Sequence, residues 1–250
     1  MKASAKRIIL KNKAKNVLSG RYYGAISILV FWALLYLLLE QFDVSLTSSF
    51  YESPLTATNA TLLTILSYAV PLLFSVLAEI LQAGLCLFHL NLSTNNPAYA
   101  FDLLYGYFHQ FQKFFCISGV KSVLAFVCTL PLNFIIDFRN TAGFWQSSTF
   151  LCLVLLQLLG FAVFFPISLA LSQAYFLAFD YPALSFSEIL KQSAKIMKGR
   201  KLQLFAIQLS FLPLFLLGLF SFGLGLFWVL PYYNVTLTLY YLDVMRPDQN

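Results

Sequence analysis

From Leu202 to Leu242 the chain carries no charged residue, and immediately before that stretch five bases fall between Lys191 and Lys201. A spanning helix needs about 20 mainly apolar residues, and one helix over the whole stretch would be far longer than a hydrocarbon core of about 30 Å. The glycines of "SFGLG" (221–225) allow the tight reversal of a helical hairpin, so the stretch reads as two spans, 202–220 and 226–242. Pro231 falls in the second and is expected to bend it.

The same reading applied upstream gives spans at 22–39, 62–88, 114–136 and 149–179. Pro71 and Pro166 lie inside two of these, which are longer than a bilayer needs, so kinks or tilt are expected. Composition agrees: 60% of residues are hydrophobic and 10% charged, against about 25% charged in a soluble domain. The fold expected is one all-α polytopic membrane domain of about six transmembrane helices, with amphipathic interfacial helices on its cytoplasmic side.

Charge sets the orientation expected. With an even number of spans and a cytoplasmic N-terminus, the inner segments are 1–21, 89–113, 180–201 and 243–250, and they hold all of the 16 Lys and Arg except Lys121 and Arg139. The outer loop 40–61 carries Glu40, Asp43 and Glu52 and no base. The net charge of +6 therefore points to anionic lipid headgroups, not to nucleic acid.

Both large basic clusters run through a glycine into a span. In "SFSEILKQSAKIMKGR" (185–200), Phe186, Ile189, Leu190, Ser193 and Met197 share one helical face, and Lys191, Lys195 and Lys198 fall on the other. Ser185 and Glu188 have capping-box spacing, and Gly199 ends or bends the helix. At the front of the chain Leu10, Ala14, Val17 and Leu18 form a stripe, with Lys11 and Lys15 off it, Lys13 at its edge and Gly20 at its end. Aligned on the glycines, "VLSGR" (17–21) lies over "IMKGR" (196–200). A third segment starts with Asn96 before Pro97, a good cap and first helical position. Interfacial helices are thus expected near 4–19, 97–112 and 185–198, and the chain reads as three units, each an interfacial helix followed by a two-span hairpin. In this reading Lys11, Lys13, Lys15, Lys191, Lys195, Lys198 and Arg200 meet lipid phosphates; the plainer alternative is a solvated charged face.

Within the spans, Glu79 and Lys121 are the notable ionisable residues. Each lies several residues from the inner end of its span, so the two fall within reach of each other. A paired Glu79 and Lys121 would make a proton or solute site; the alternative is a hydrogen-bonded structural Glu79 near Gln82, with Lys121 snorkelling to the interface. Gln157, Ser172, Gln173, Gln208 and Asn234 are further polar residues that could line a cavity or join helices. Asn234 stands out because Pro231 nearby frees a backbone carbonyl. His89 and His109 lack metal-ligand spacing, the four cysteines form no C-x-x-C pair, and no nucleotide-binding or nucleophile motif occurs. Neither metal nor cofactor is expected, nor disulfides. Asn59, Asn91 and Asn234 begin chance glycosylation patterns.

The run 185–241 resembles the C-terminal signature of a bacterial integral-membrane family, domain-of-unknown-function family 975. The likeness rests on Ser193, Met197 and Gly199, on "LF" and "QLSF" within 204–211, on Gly223 and Gly225, and on "WVLPY" (228–232); "AKNVLSGRYYGAI" and "AGLCLFHLNLS" extend it forward. The resemblance implies a Gram-positive plasma membrane and, through a looser likeness to membrane regions of glycerophosphodiester phosphodiesterases, a link to lipids. It implies no activity. The function expected first is a non-enzymatic membrane factor binding lipids, a membrane-protein partner or a second copy of itself. A small transporter with Glu79 at its site is the alternative, and an intramembrane enzyme acting on lipid the third.

Overall fold

The computed structural model describes residues 3–52, 60–138, 145 and 148–245, and among these every regular element is helical. Arg139 and Asn59 lie outside the described residues. α1 (Ala3–Leu18) is followed by α2 (Tyr22–Glu52), α3 (Ala60–Ser93) and a 3₁₀ turn (Ala100–Leu104). Then come α4 (Tyr105–Phe108), α5 (Phe111–Phe138), α6 (Ser148–Leu171), α7 (Ala174–Asp180) and α8 (Phe186–Ile196). A broken span of α9 (Lys201–Leu209) and α10 (Leu212–Phe220) leads to α11 (Leu226–Met245). Five segments, 22–49, 61–93, 111–136, 148–180 and 201–220, are long and apolar enough to cross a membrane, so the chain is an all-α multi-pass membrane protein.

The helix over the sixth expected span is present, but its hydropathy is not that of a lipid-facing span. α11 carries Tyr232, Tyr233, Asn234, Thr236, Thr238, Tyr240 and Tyr241. Of these, Thr236, Thr238, Tyr240 and Tyr241 are fully buried, and α11 packs against α1, α2, α3 and α10. A helix surrounded by protein can use hydroxyls that lipid would penalise, since each finds an acceptor: Thr236 donates to the Tyr232 carbonyl at 2.7 Å and Tyr240 to that of Arg200 at 3.3 Å.

Helices do not stop where hydrocarbon does. α2 extends well beyond 39 because Asp43, Thr47 and Ser48 are accommodated on its surface, with Thr47 donating to Asp43 at 3.2 Å and Ser48 to the Ser45 carbonyl. Pro71, Pro131, Pro166 and Pro231 all sit inside continuous helices. The interruptions fall instead at Ser172–Gln173 and Ser210–Phe211. At the second, Pro213 in the first turn of α10 has no N–H to return to the α9 carbonyls.

α1 and α8 end alike. Gly20 and Gly199 take φ of +76° and +75°, the Arg21 N–H bonds back to the Leu18 carbonyl at 2.9 Å, and that of Arg200 to Met197 at 3.1 Å. Leu18 and Met197 are both fully buried. The segment 97–112 is different: in place of one helix it holds the 3₁₀ turn and a single turn of α4. Asp102 organises it, accepting from the Tyr99 N–H and from Asn91. It too ends on a positive φ, at Gln110 (+53°), before α5 begins. Its close seat on α3 needs Gly84, where a Cβ would run into the Leu103 carbonyl.

Polar contacts gather the α1–α2, α3–α4, α4–α5 and α7–α8 connections and the C-terminal half of α11 at one end of the bundle. Arg21 donates to Asn95, Lys113 to the Pro182 carbonyl, and Tyr241 to Asp180. This is the basic end.

Candidate functional site

Three helices converge on Glu79. α3 carries it, α5 supplies Lys121 and, one turn earlier, Ser118, and α7 supplies Tyr175. Lys121 Nζ lies 2.5 Å from Glu79 Oε2, and Tyr175 donates its phenol to the same oxygen at 2.8 Å. With that proton committed, Ser118 donates to the Tyr175 oxygen at 3.0 Å. The Lys121 ammonium also stands over the Tyr175 ring, 4.1 Å from its centre. Tyr175 reaches this place because the chain breaks at Ser172–Gln173 and restarts as α7.

The pair is reachable. Lys121 and Glu79 keep 24% and 34% of their side-chain surface, and that surface faces a cleft of about 630 Å³ between α2, α3 and α5. Glu40 and Asp43 from α2 line it with Glu79, and Trp32, Tyr36, Phe74 and Phe126 supply aromatic wall. Ser122, also in the wall, is 4% exposed, and its Oγ has no hydrogen-bond partner among the described residues.

A smaller cavity of about 140 Å³ shares Gln82 and Lys121 with the cleft and is further lined by His89, Ser172, Asn234 and Thr238. His89 Nδ1 meets the Leu85 carbonyl at 2.8 Å and must donate there, which makes Nε2 an acceptor. That buried Nε2 has no partner among the described residues. Asn234 accepts from Thr238 through its own carbonyl at 3.0 Å. Glu79, Lys121 and Asn234 thus fall on two adjoining cavities. Tyr175 and Ser118 were not evident in the sequence: no charge or motif spacing points to them, and neither proline nor glycine stands at the Ser172–Gln173 break that carries Tyr175 inward.

The two basic helices meet different surroundings. In α1, Leu10, Ala14 and Leu18 are buried, and the bases turn to the α9–α10 break. Lys11 donates to the Ser210 carbonyl at 2.9 Å and lies 4.2 Å from the Phe211 ring centre. Arg7 reaches the Ala206 carbonyl at 3.4 Å, and Lys15 stands 5.9 Å from the Tyr232 ring. Burial, and then the neighbouring Arg7 and Lys15 charges, lower the Lys11 pKa. Lys13 is half-buried. In α8 the face of Ile189, Ser193 and Met197 is buried, with Ser193 donating to the Ala170 carbonyl at 2.7 Å. Lys191, Lys195, Lys198 and Arg200 are exposed. The last three line an open hollow of about 450 Å³. The capping box forms: the Ser185 N–H and hydroxyl both donate to Glu188, and the backbone bond first, then the hydroxyl, hold that carboxyl below its ordinary range.

Cys86, Cys116, Cys128 and Cys152 are free thiols, and no three or more His, Cys, Asp or Glu are placed to hold a metal ion together among the described residues. No curated protein and no solved structure matches the chain. One family model does, over residues 1–247, nearly the whole length, and the chain belongs to that family, described as protein of unknown function (DUF975).

Proposed function

We propose that this is a non-enzymatic solute-binding membrane protein of the transporter class, with Glu79 at its site. The observation that carries this is the Lys121–Glu79 pair, braced by Tyr175 and Ser118, in the wall of the 630 Å³ cleft. Removing an ion pair from water costs several kcal/mol per charge, and apolar residues would hold the helices together at no such cost. A pair kept at membrane depth, facing open space of ligand size, fits a place where a solute exchanges contacts with the protein. The smaller cavity behind Lys121 supports the same reading, since it continues the polar lining toward the basic end.

A second reading rests on α8. Its docked apolar face and the hollow lined by Lys195, Lys198 and Arg200 suit an anionic phospholipid headgroup, with Lys191 beside it. In this reading the basic end faces the cytoplasm of a bacterial cell, the chain sits in the plasma membrane, and lipid, or a membrane partner or second copy bound through it, is what α8 serves. Lys11 and Arg7 contribute less to lipid binding here, because they already hold backbone carbonyls.

Native mass spectrometry of the protein extracted gently from its own membrane tests both. A polar solute retained by the native chain and lost in Glu79→Gln is the expected result. Identical spectra of the two, with no solute in either, would overturn the transporter reading. Anionic lipid retained by the native chain and lost when Lys191, Lys195 and Lys198 are replaced by Glu supports the second reading; unchanged retention removes it.

A further inference from the structure

Glu79 already holds a cation, and that cation belongs to the chain. The Lys121 ammonium has a carboxylate on one side and the face of the Tyr175 ring on the other. Organic ammonium ions are held in proteins by this combination of carboxylate and aromatic face. The cleft in front repeats it on a larger scale. Its charged lining is Glu40, Asp43 and Glu79 against Lys121 alone, so an excess of negative charge faces the space, and Trp32, Tyr36, Phe74 and Phe126 stand around it. Ser122, a residue only 4% exposed, adds a buried oxygen with no hydrogen-bond partner among the described residues. An anion entering here meets uncompensated carboxylates at the edge of a low-dielectric region. A cation meets net attraction, opposed in this lining by Lys121.

Lys121 also has a second place to go. Its side chain lines the smaller cavity, where the buried His89 Nε2 is an acceptor without a partner among the described residues and Asn234 and Gln82 offer further polar groups. A bare carboxylate at Glu79 and a bare ammonium at Lys121 would each be costly, but an incoming ammonium takes the first while His89 receives the second. We infer that Glu79 binds a small organic ammonium ion from the wide cleft in exchange for the Lys121 side chain, whose own ammonium withdraws toward His89 and Asn234. This rests on the proposed solute site and names its substrate class. No bond is made or broken; one cation replaces another on the same carboxylate.

The test uses the full chain in lipid nanodiscs and ligand-observed NMR titration of three matched probes: propylammonium, propanol and propionate. Propylammonium is expected to bind and the other two are not. Lys121→Met removes the internal competitor and is expected to tighten propylammonium roughly tenfold. Lys121→Arg, which keeps the charge and the fold and grips Glu79 through two N–H groups, is expected to weaken it severalfold. Glu79→Gln should abolish binding in every background. His89→Ala should weaken binding in the native chain and leave it unchanged in Lys121→Met, a dependence that loss of packing alone would not produce. Tightening that fails to appear in Lys121→Met, together with no weakening in Lys121→Arg, overturns the exchange. Glu79-dependent binding of propanol or propionate in place of propylammonium overturns the cation class while the solute site stands. No binding of any probe to the native chain or to Lys121→Met overturns both.

Discussion

Lys121 joins several parts of this protein's polar chemistry. It pairs with Glu79, lies on the Tyr175 ring and separates two cavities. Removing one member of a fully buried ion pair costs about 3–5 kcal/mol, because the partner is left charged and dry. Here each side chain keeps some exposure to the cleft, so Lys121→Met and Glu79→Gln should each cost less, about 1–3 kcal/mol. The double change Glu79→Gln with Lys121→Met removes both charges and should recover most of the loss. Thermal unfolding in detergent closes this cycle; additive single effects would mean that the pair does not couple. The meeting of Glu79 and Lys121 was readable from their depths in two neighbouring spans. Tyr175 was not, since its approach depends on a helix break that no proline or glycine marks in the sequence.

Among the elements, the connections carry as much information as the spans. The three segments that lead into hairpins end on Gly20, Gln110 and Gly199, each with positive φ, and the first and last share the same return hydrogen bond and a buried apolar residue two positions before the glycine. That matches the likeness of "VLSGR" and "IMKGR" in the sequence. The middle segment kept the turn and lost the helix, because Asp102 ties it into a tight 3₁₀ loop that lies flat on α3. This seat is sensitive. Gly84→Ala sets a methyl against the Leu103 backbone and should cost roughly 1–3 kcal/mol. Gly119→Ala in α5, where nothing lies within 4 Å, should be neutral or slightly stabilising. Comparing the two midpoints of thermal unfolding separates close packing from a general intolerance of added bulk.

Across the whole molecule, apolar length marked where helices run and charge marked which connections share an end. Neither could show what α1 does with its bases. A lysine beside a membrane reads as a lipid contact until a carbonyl turns toward it, and the carbonyl here comes from the Ser210–Phe211 break, some two hundred residues along the chain. α11 was legible as a helix and illegible as the centre of the bundle, because hydropathy reports how much a helix avoids water and not whether lipid or protein surrounds it. If α1 is a packed element, Lys11→Met should loosen it by about 1 kcal/mol, and its amides should then exchange roughly fivefold faster while those of α3 do not change. Equal exchange in the two proteins would return α1 to the membrane surface. The docking of α1 on α11 and on the α9–α10 break also has a consequence for how the protein is made. The ribosome delivers α1 early and its partners last, so the stripe of Leu10, Ala14 and Leu18 waits through the synthesis of everything between. Until the final hairpin arrives the bundle is open, and any chain that stops before α11 leaves that stripe as a signal that assembly has failed.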